Sequence, residues 1–304
     1  YRYRAQMIVH VLLVVYVGLT AISTVMLKLS GMNWFDALCH AMSACATSGF
    51  STKNASVAYF DSPLIETVLI LTMGIAGMHF GLIYATVTGK RNNLFRSEVT
   101  RWYVGILLGC SVLIAVSLYA ADIYPTLTSS FRHAAFQFFS LMTTTGFASA
   151  DSNVWPPFAV ILLMFGSIVC ACAGSTTGGM KVNRLVLAGK MIRTQLQRQQ
   201  HPNAVIRIKL DGMLQEDGVI HGVMIFIVTY MLAILSLCGV DLLTGFSGTV
   251  ACLGNVGPGF GEVYSLGNYA GIPAAVKFFN AFLMLLGRLE IFGLIQLFFL
   301  KWWR

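Results

Sequence analysis

Apolar runs long enough to cross a bilayer alternate along this chain with shorter apolar runs that end in small polar residues and a glycine. Ala5–Leu27 is a run of the first kind, matching the roughly 20 residues that a helix rising 1.5 Å per residue needs to span the hydrocarbon core. Trp34–Ala46 is of the second kind: about 13 residues, roughly 20 Å as a helix and too short to cross. It ends at Thr47-Ser48-Gly49-Phe50 and reads as a re-entrant half-helix with its following loop. Pro63 can open the next helix, where its missing N–H removes no intrahelical bond. The apolar run 64–88 then returns to Lys90-Arg91.

The same order recurs twice. A helix over 102–121, a half-helix over 130–142, the stretch Thr143-Thr144-Thr145-Gly146-Phe147 and a helix opened by Pro156-Pro157 form the next unit. That last helix, 157–200, is expected to be broken, because Gly174-Ser175-Thr176-Thr177-Gly178-Gly179 joins poor helix propagators at membrane depth. Irregular backbone there needs cover from protein or a water-filled cavity. From 204, Ile206, Ile208 and Leu210 alternate with Arg207 and Lys209 ahead of Asp211-Gly212, the pattern of a cytosolic β-hairpin. A helix over 219–239, a half-helix over 243–252, the loop 254–259 and a helix over 274–300 complete a third unit. Gly49, Gly146 and Gly257 are separated by 146 − 49 = 97 and 257 − 146 = 111 residues, a repeat of about 100. The expectation is an all-α polytopic membrane protein of three tandem units, 1–98, 99–212 and 213–304. Gly74, Gly77 and Gly81 along one helix predict close helix packing.

Composition agrees with burial in lipid: 57% of residues are hydrophobic, 11% are charged, and mean hydropathy is +0.74. The net charge of +8 invites a nucleic-acid reading, but its placement excludes one. The cations gather at Arg2 and Arg4, at Lys90–Arg101, at Lys181–Lys209 and at Lys301 and Arg304. These positions share one face if the spans alternate, and the positive-inside rule makes that face cytoplasmic. On the other face Asp36, Asp61, Glu66, Asp122, Asp151, Asp241 and Glu262 outnumber Lys28, Lys53, Arg132 and Lys277, so a negative mouth would concentrate cations. The chain begins with Tyr1 and is expected to belong to a longer protein.

A unit of helix, half-helix, extended polar loop and helix can build an ion filter in which loop carbonyls replace a cation's hydration shell. The C-terminal ends of the half-helices carry partial negative charge towards the membrane centre. Glycine at each loop permits the dihedrals that turn successive carbonyls one way. The plain alternative, turns after buried helices, does not account for three copies in phase. Arg288 and Glu290 lie deep in the last span, where an ionisable group is by default functional.

The set Ala46–Thr52, Thr143–Phe147, Ala173–Lys181, Gly254–Gly259 and Gly287–Phe292 resembles the Trk/Ktr/HKT superfamily of potassium transporters, most of all the bacterial Trk membrane subunit. The resemblance implies four such units around a pseudo-fourfold pore, of which this chain carries the second to fourth. It implies a potassium-binding filter at Thr47, Ser48 and Gly49, at Thr144, Thr145 and Gly146, and at Asn255, Val256 and Gly257. It implies a gate made of Gly174, Ser175, Thr176, Thr177, Gly178 and Gly179, with Arg288 projecting into the pore below the filter. It further implies potassium as the transported ion with no organic cofactor, a homodimer in the bacterial inner membrane, and a cytosolic nucleotide-binding regulatory subunit of the TrkA type. The loop from Lys181 to Asp217 is a plausible docking surface for that subunit, or one drawn to anionic lipid headgroups.

Three classes of function follow. The first is a channel-like potassium uptake protein. The second is a potassium symporter coupled to protons or sodium, for which His79 and Glu290 are the main titratable candidates within the spans, or a less selective monovalent cation channel. The third, an enzyme, is disfavoured. Gly174–Lys181 lacks the Gly-Lys-Ser/Thr ending of a phosphate loop, Gly254–Gly259 does not fit G-x-G-x-x-G, and His10, His40, His79, His133, His201 and His221 show no ligand spacing.

Overall fold

The computed structural model describes residues 2–89, 94, 96–200, 208–211, 213–214 and 242–288. Its helices are α1 (Arg2–Leu29), α2 (Trp34–Cys45), α3 (Pro63–Ala76), α4 (Phe80–Val87), α5 (Glu98–Ala120), α6 (Leu127–Met142), α7 (Pro157–Val169), α8 (Val182–Gln200), α9 (Leu242–Gly254) and α10 (Ala274–Arg288). Strands β1 (Lys209–Leu210) and β2 (Met213–Leu214) pair antiparallel. By length and composition α1 and α5 can each cross a bilayer. In α1 the hydroxyl side chains are satisfied within lipid: Thr20 and Thr24 donate to carbonyls one turn back at 2.8 Å, and Ser23 pairs with Thr72 of α3 at 2.9 Å.

Caps fix the helix starts. Asn33 accepts from Asp36 N–H ahead of α2, Ser97 from Thr100 N–H ahead of α5, and Thr126 from Ser129 N–H ahead of α6. Proline opens α3 and α7. Two cores result. One gathers Leu27, Met32, Leu69, Met73 and Val57 with Phe136 and Phe147 of the next unit. The other joins α5, α6, α7 and α9 around Tyr103, Leu107, Phe138 and Leu253.

The structure differs from expectation in the run 64–88, which is not one helix. It divides into α3 and α4, bent by 101°. The break at Gly77–His79 is held by the other interrupted helix: Cys172 N–H donates to Gly77 O and Phe80 N–H donates to Gly174 O, both at 3.0 Å. His79 Nδ1 caps α4 by accepting from Gly81 N–H at 3.0 Å. Two adjacent breaks thus satisfy each other's freed backbone groups, which no hydropathy pattern reveals. The second interruption is also wider than 174–179, covering 170–181 between α7 and α8. At the ends, α5 and α6 begin four and three residues earlier than expected, and α9 runs on through Gly254. The span 219–239, the hairpin's first residues 204–207, Glu290 and the end of the last span lie outside the described residues.

The hairpin turn is anchored to a span. Asp211 accepts from Ser97 Oγ at 2.9 Å and from Glu98 N–H, while Lys190 of α8 bonds the Glu98 carboxylate and the Lys209 carbonyl.

Candidate functional site

The half-helices α2, α6 and α9 end in the same backbone turn. Thr47, Thr144 and Asn255 all take positive φ (52°, 55° and 58°), and two residues on Gly49, Gly146 and Gly257 do so again (71°, 83° and 98°). The first residue of each set donates its N–H three residues back: Thr47 to Ala44, Thr144 to Leu141 and Asn255 to Cys252, at 3.1–3.2 Å. The second donates five back: Ser48 to Ser43, Thr145 to Ser140 and Val256 to Ala251, at 2.8–3.0 Å. A left-handed conformation is costly for β-branched threonine, and asparagine is among the residues that tolerate it. Its recurrence at the same step of three separate loops marks a shared conformation rather than chance turns.

The loops lie edge to edge. A Cβ added to Gly49 would stand 2.1 Å from Thr145 O, and one added to Gly146 would stand 2.2 Å from Val256 O. Gly49 and Gly146 therefore each lie against the carbonyl that precedes the next loop's glycine, where only a residue without Cβ fits. Gly257 has nothing within 4 Å of its own Cβ position. All nine predicted filter residues lie in these three abutting loops.

The predicted gate residues lie against the same loops. Thr176 Oγ1 donates to Cys45 O at 2.9 Å, and Thr47 Oγ1 donates to Thr176 O at 3.2 Å. Gly178 N–H donates to Thr144 Oγ1 at 3.3 Å. A Cβ on Gly178 would meet Asn255 Cβ and Gly254 O at 3.1 Å. One segment thus touches all three loops. Ser175 and Thr177 pair with each other at 2.7 Å, and Ser175 donates to Cys172 O at 2.7 Å. Arg288 at the end of α10 donates to Thr176 O, pinning the segment's middle carbonyl. Nearby, Asn255 Nδ2 holds Met284 O at 3.0 Å, so the third loop and α10 are tied together.

The outer face is less negative than its residue count suggests. Arg132 forks onto buried Glu66 at 2.7 and 2.8 Å and reaches Asp61 at 3.0 Å. Asp36, at the outer end of α2, accepts from Thr52 Oγ1 and from Asn33 at 2.8 Å, with Lys53 3.4 Å away. The Thr52 hydroxyl, with Lys53 and Asn33, holds the Asp36 carboxyl below the usual carboxylate range. Loops between the helices also link neighbouring units. Ala58 N–H donates to Ala148 O at 3.0 Å, and Asn153 exchanges two bonds of 3.1 Å with Gly261.

Sequence reasoning missed the polar side chains on the inner flanks of the half-helices. His40 bonds Ser51 Oγ at 2.9 Å, Gln137 donates to Ala150 O at 2.6 Å, and Ser247 accepts from Phe260 N–H at 2.8 Å. The available signal was spacing: His40 and Gln137 each precede their loop glycine by nine residues.

These edge-to-edge glycine loops, each following a short helix, sit within a helical membrane protein. The chain belongs to the TrkH family: the family model described as "Cation transport protein" matches residues 3–302. It is 37% identical over 299 residues to the Trk system potassium uptake protein TrkH of Salmonella typhimurium, covering 95% of this chain and 61% of that protein. Against the Escherichia coli K12 protein of the same name, identity is 36% over 299 residues with the same shares. The crystal structure of the potassium transporter TrkH from Vibrio parahaemolyticus matches with a TM-score of 0.88 at 34% identity, over 96% of this chain and 64% of that one. The chain thus spans about three-fifths of the length of the curated relatives it matches.

Proposed function

We propose that this chain supplies three of four filter loops in a potassium uptake pathway across the bacterial inner membrane. The observation that carries the reading is the common loop conformation, with Gly49 seated on Thr145 O and Gly146 on Val256 O. Loops related in this way can present one carbonyl level to a shared axis, where oxygens replace water around a monovalent ion. The relatives' printed names supply potassium. The open side of Gly257 is where a further loop would close the ring; its glycine would take the Ser48 carbonyl, continuing the same hand.

In this reading the 174–179 segment is a gate beneath the filter. Its bonds to Thr47, Thr144 and Arg288 hold it across the path, and conduction requires that they break. Transport is then channel-like. Two copies of the protein pair, and a cytosolic nucleotide-binding subunit acts on the basic helix α8, which follows the gate segment directly in the chain. The relatives' designation as parts of a Trk system supports such an assembly.

The experiment is cation flux into liposomes holding the full-length protein. Potassium and rubidium uptake that outpaces sodium, with a reversal potential unmoved by a proton gradient, is the expected result. Equal sodium and potassium flux removes the filter reading, and a reversal potential that follows the proton gradient replaces the channel with a symporter.

A further inference from the structure

Each half-helix sends buried polar side chains sideways to the chain segment that follows its own loop glycine: Asp36 to Thr52, Ser140 to Phe147 and Thr244 to Glu262, and with them His40, Gln137 and Ser247. His40 is fully buried, with Nδ1 2.7 Å from Asp36 O and Nε2 2.9 Å from Ser51 Oγ. Asp36 O can only accept, so Nδ1 carries the proton, and Nε2 accepts from the Ser51 hydroxyl. Ser51 Oγ in turn accepts from Lys53 N–H at 3.1 Å. Gln137 is 1% exposed and donates to Ala150 O at 2.6 Å. Ser247, 2% exposed, accepts from Phe260 N–H at 2.8 Å and donates to Phe260 O at 3.2 Å.

The side-chain sizes follow the gap to be bridged. In the third unit the chain lies against the half-helix itself, a Cβ on Gly259 standing 3.1 Å from Gly248 N, and a serine reaches. Gly248 occupies the position that His40 and Gln137 hold in the other units, nine residues before the loop glycine. In those units a longer polar side chain spans the distance. His40 also meets the neighbouring unit: Phe147, the residue after Gly146, stacks on its ring at 5.6 Å, and Phe60 meets it edge-on at 5.4 Å.

We infer that His40 and Gln137 are positioning residues for ion preference, holding the outgoing chain of the first two loops so that the loop carbonyls keep the spacing a potassium ion requires. Neither side chain is placed to touch the ion. The inference rests on the filter reading above, and it assigns selectivity to groups behind the filter. A loop released on its outer side can contract around a smaller ion, so sodium is the ion whose passage rises.

The test is the potassium-to-sodium flux ratio of the full-length protein in liposomes, read together with its thermal midpoint. His40→Leu and Gln137→Leu are expected to lower the ratio about five- to tenfold, the effect of one buried hydrogen bond lost. His40→Gln, which keeps an acceptor for Ser51, and Gln137→His, which keeps a donor for Ala150 O, are expected to stay within about twofold of wild type on the same scale. Should the leucine variants fail to fold, Ser51→Ala removes the His40 bond from its more exposed side and is expected to lower the ratio about threefold. An unchanged ratio in folded His40→Leu and Gln137→Leu, or in Ser51→Ala, overturns the inference, as does an equal fall in the leucine and the conservative variants. Those results leave the filter reading intact as long as wild type prefers potassium; absence of that preference in wild type is what defeats the filter itself.

Discussion

The α-carbon of Gly49 rests against the carbonyl oxygen of Thr145 so closely that a methyl group there would sit 2.1 Å from it. Gly146 stands in the same relation to Val256 at 2.2 Å. The contact runs in one direction, from Gly49 and from Gly146 to the carbonyl before the next loop's glycine.

Gly146→Ala therefore places a Cβ on a residue with φ of 83° and against a backbone oxygen. The left-handed conformation alone costs about 1 kcal/mol, and the contact with Val256 O forces the two loops apart. The expected outcome is at least a tenfold fall in potassium-to-sodium flux ratio, about 1.4 kcal/mol of discrimination. Retained selectivity would show that the loops do not act as one ring.

Arg288→Ala removes the guanidinium that holds Thr176 O. A hydrogen bond to a charged group contributes about 1.5–3 kcal/mol, so its loss is expected to shift a closed gate towards open by about tenfold or more. Single-channel or flux recordings should show higher basal conduction with unchanged ion preference. Conduction equal to wild type would reduce Arg288 to a packing role.

Arg132→Ala leaves the Glu66 carboxylate, 2% exposed, without its forked partner. Breaking a buried pair from one side costs about 3 kcal/mol or more. Asp61 is largely exposed, and Asp61→Asn is expected to cost less than about 1 kcal/mol. Thermal unfolding in detergent measures both; equal small effects would mean that the fork contributes nothing beyond a surface pair.

Asp36 makes acid stability depend on the outer end of α2. Because its folded pKa is lowered, its contribution is complete above the ordinary carboxylate value of about 3.9. It is lost as pH falls through the lower folded value. Asp36→Asn is expected to remove that part of the acid sensitivity in a thermal-midpoint series from neutral to strongly acidic pH. An identical acid profile in the variant would place the sensitivity elsewhere.

Much of this architecture was legible in the order of long and short apolar runs, since length alone separates a helix that crosses from Trp34–Cys45, which does not. Glycines at 49, 146 and 257 were legible as a set by spacing. The 101° bend after Ala76 was not, because a run broken only by Glu66, His79 and a few glycines and threonines still reads as one span, and the bonds that hold the bend come from the segment around Cys172 and Gly174, about 100 residues away. The braces at His40, Gln137 and Ser247 were hidden for a related reason: a polar residue among several on a half-helix declares its partner only when the chain folds back over it. Arg288 was legible as a charge deep in the last span, expected to project into the pore below the filter, but its bond to a carbonyl of the interrupted helix was not.

The most direct measurement is anomalous diffraction from crystals of the full-length protein grown in thallium or rubidium, which substitute for potassium and scatter strongly. The account predicts density on the axis that Gly49, Gly146 and Gly257 surround, within coordination distance of carbonyls from all three loops and weakened by competing potassium. Density absent from that axis, or found only where the loops do not converge, would contradict it.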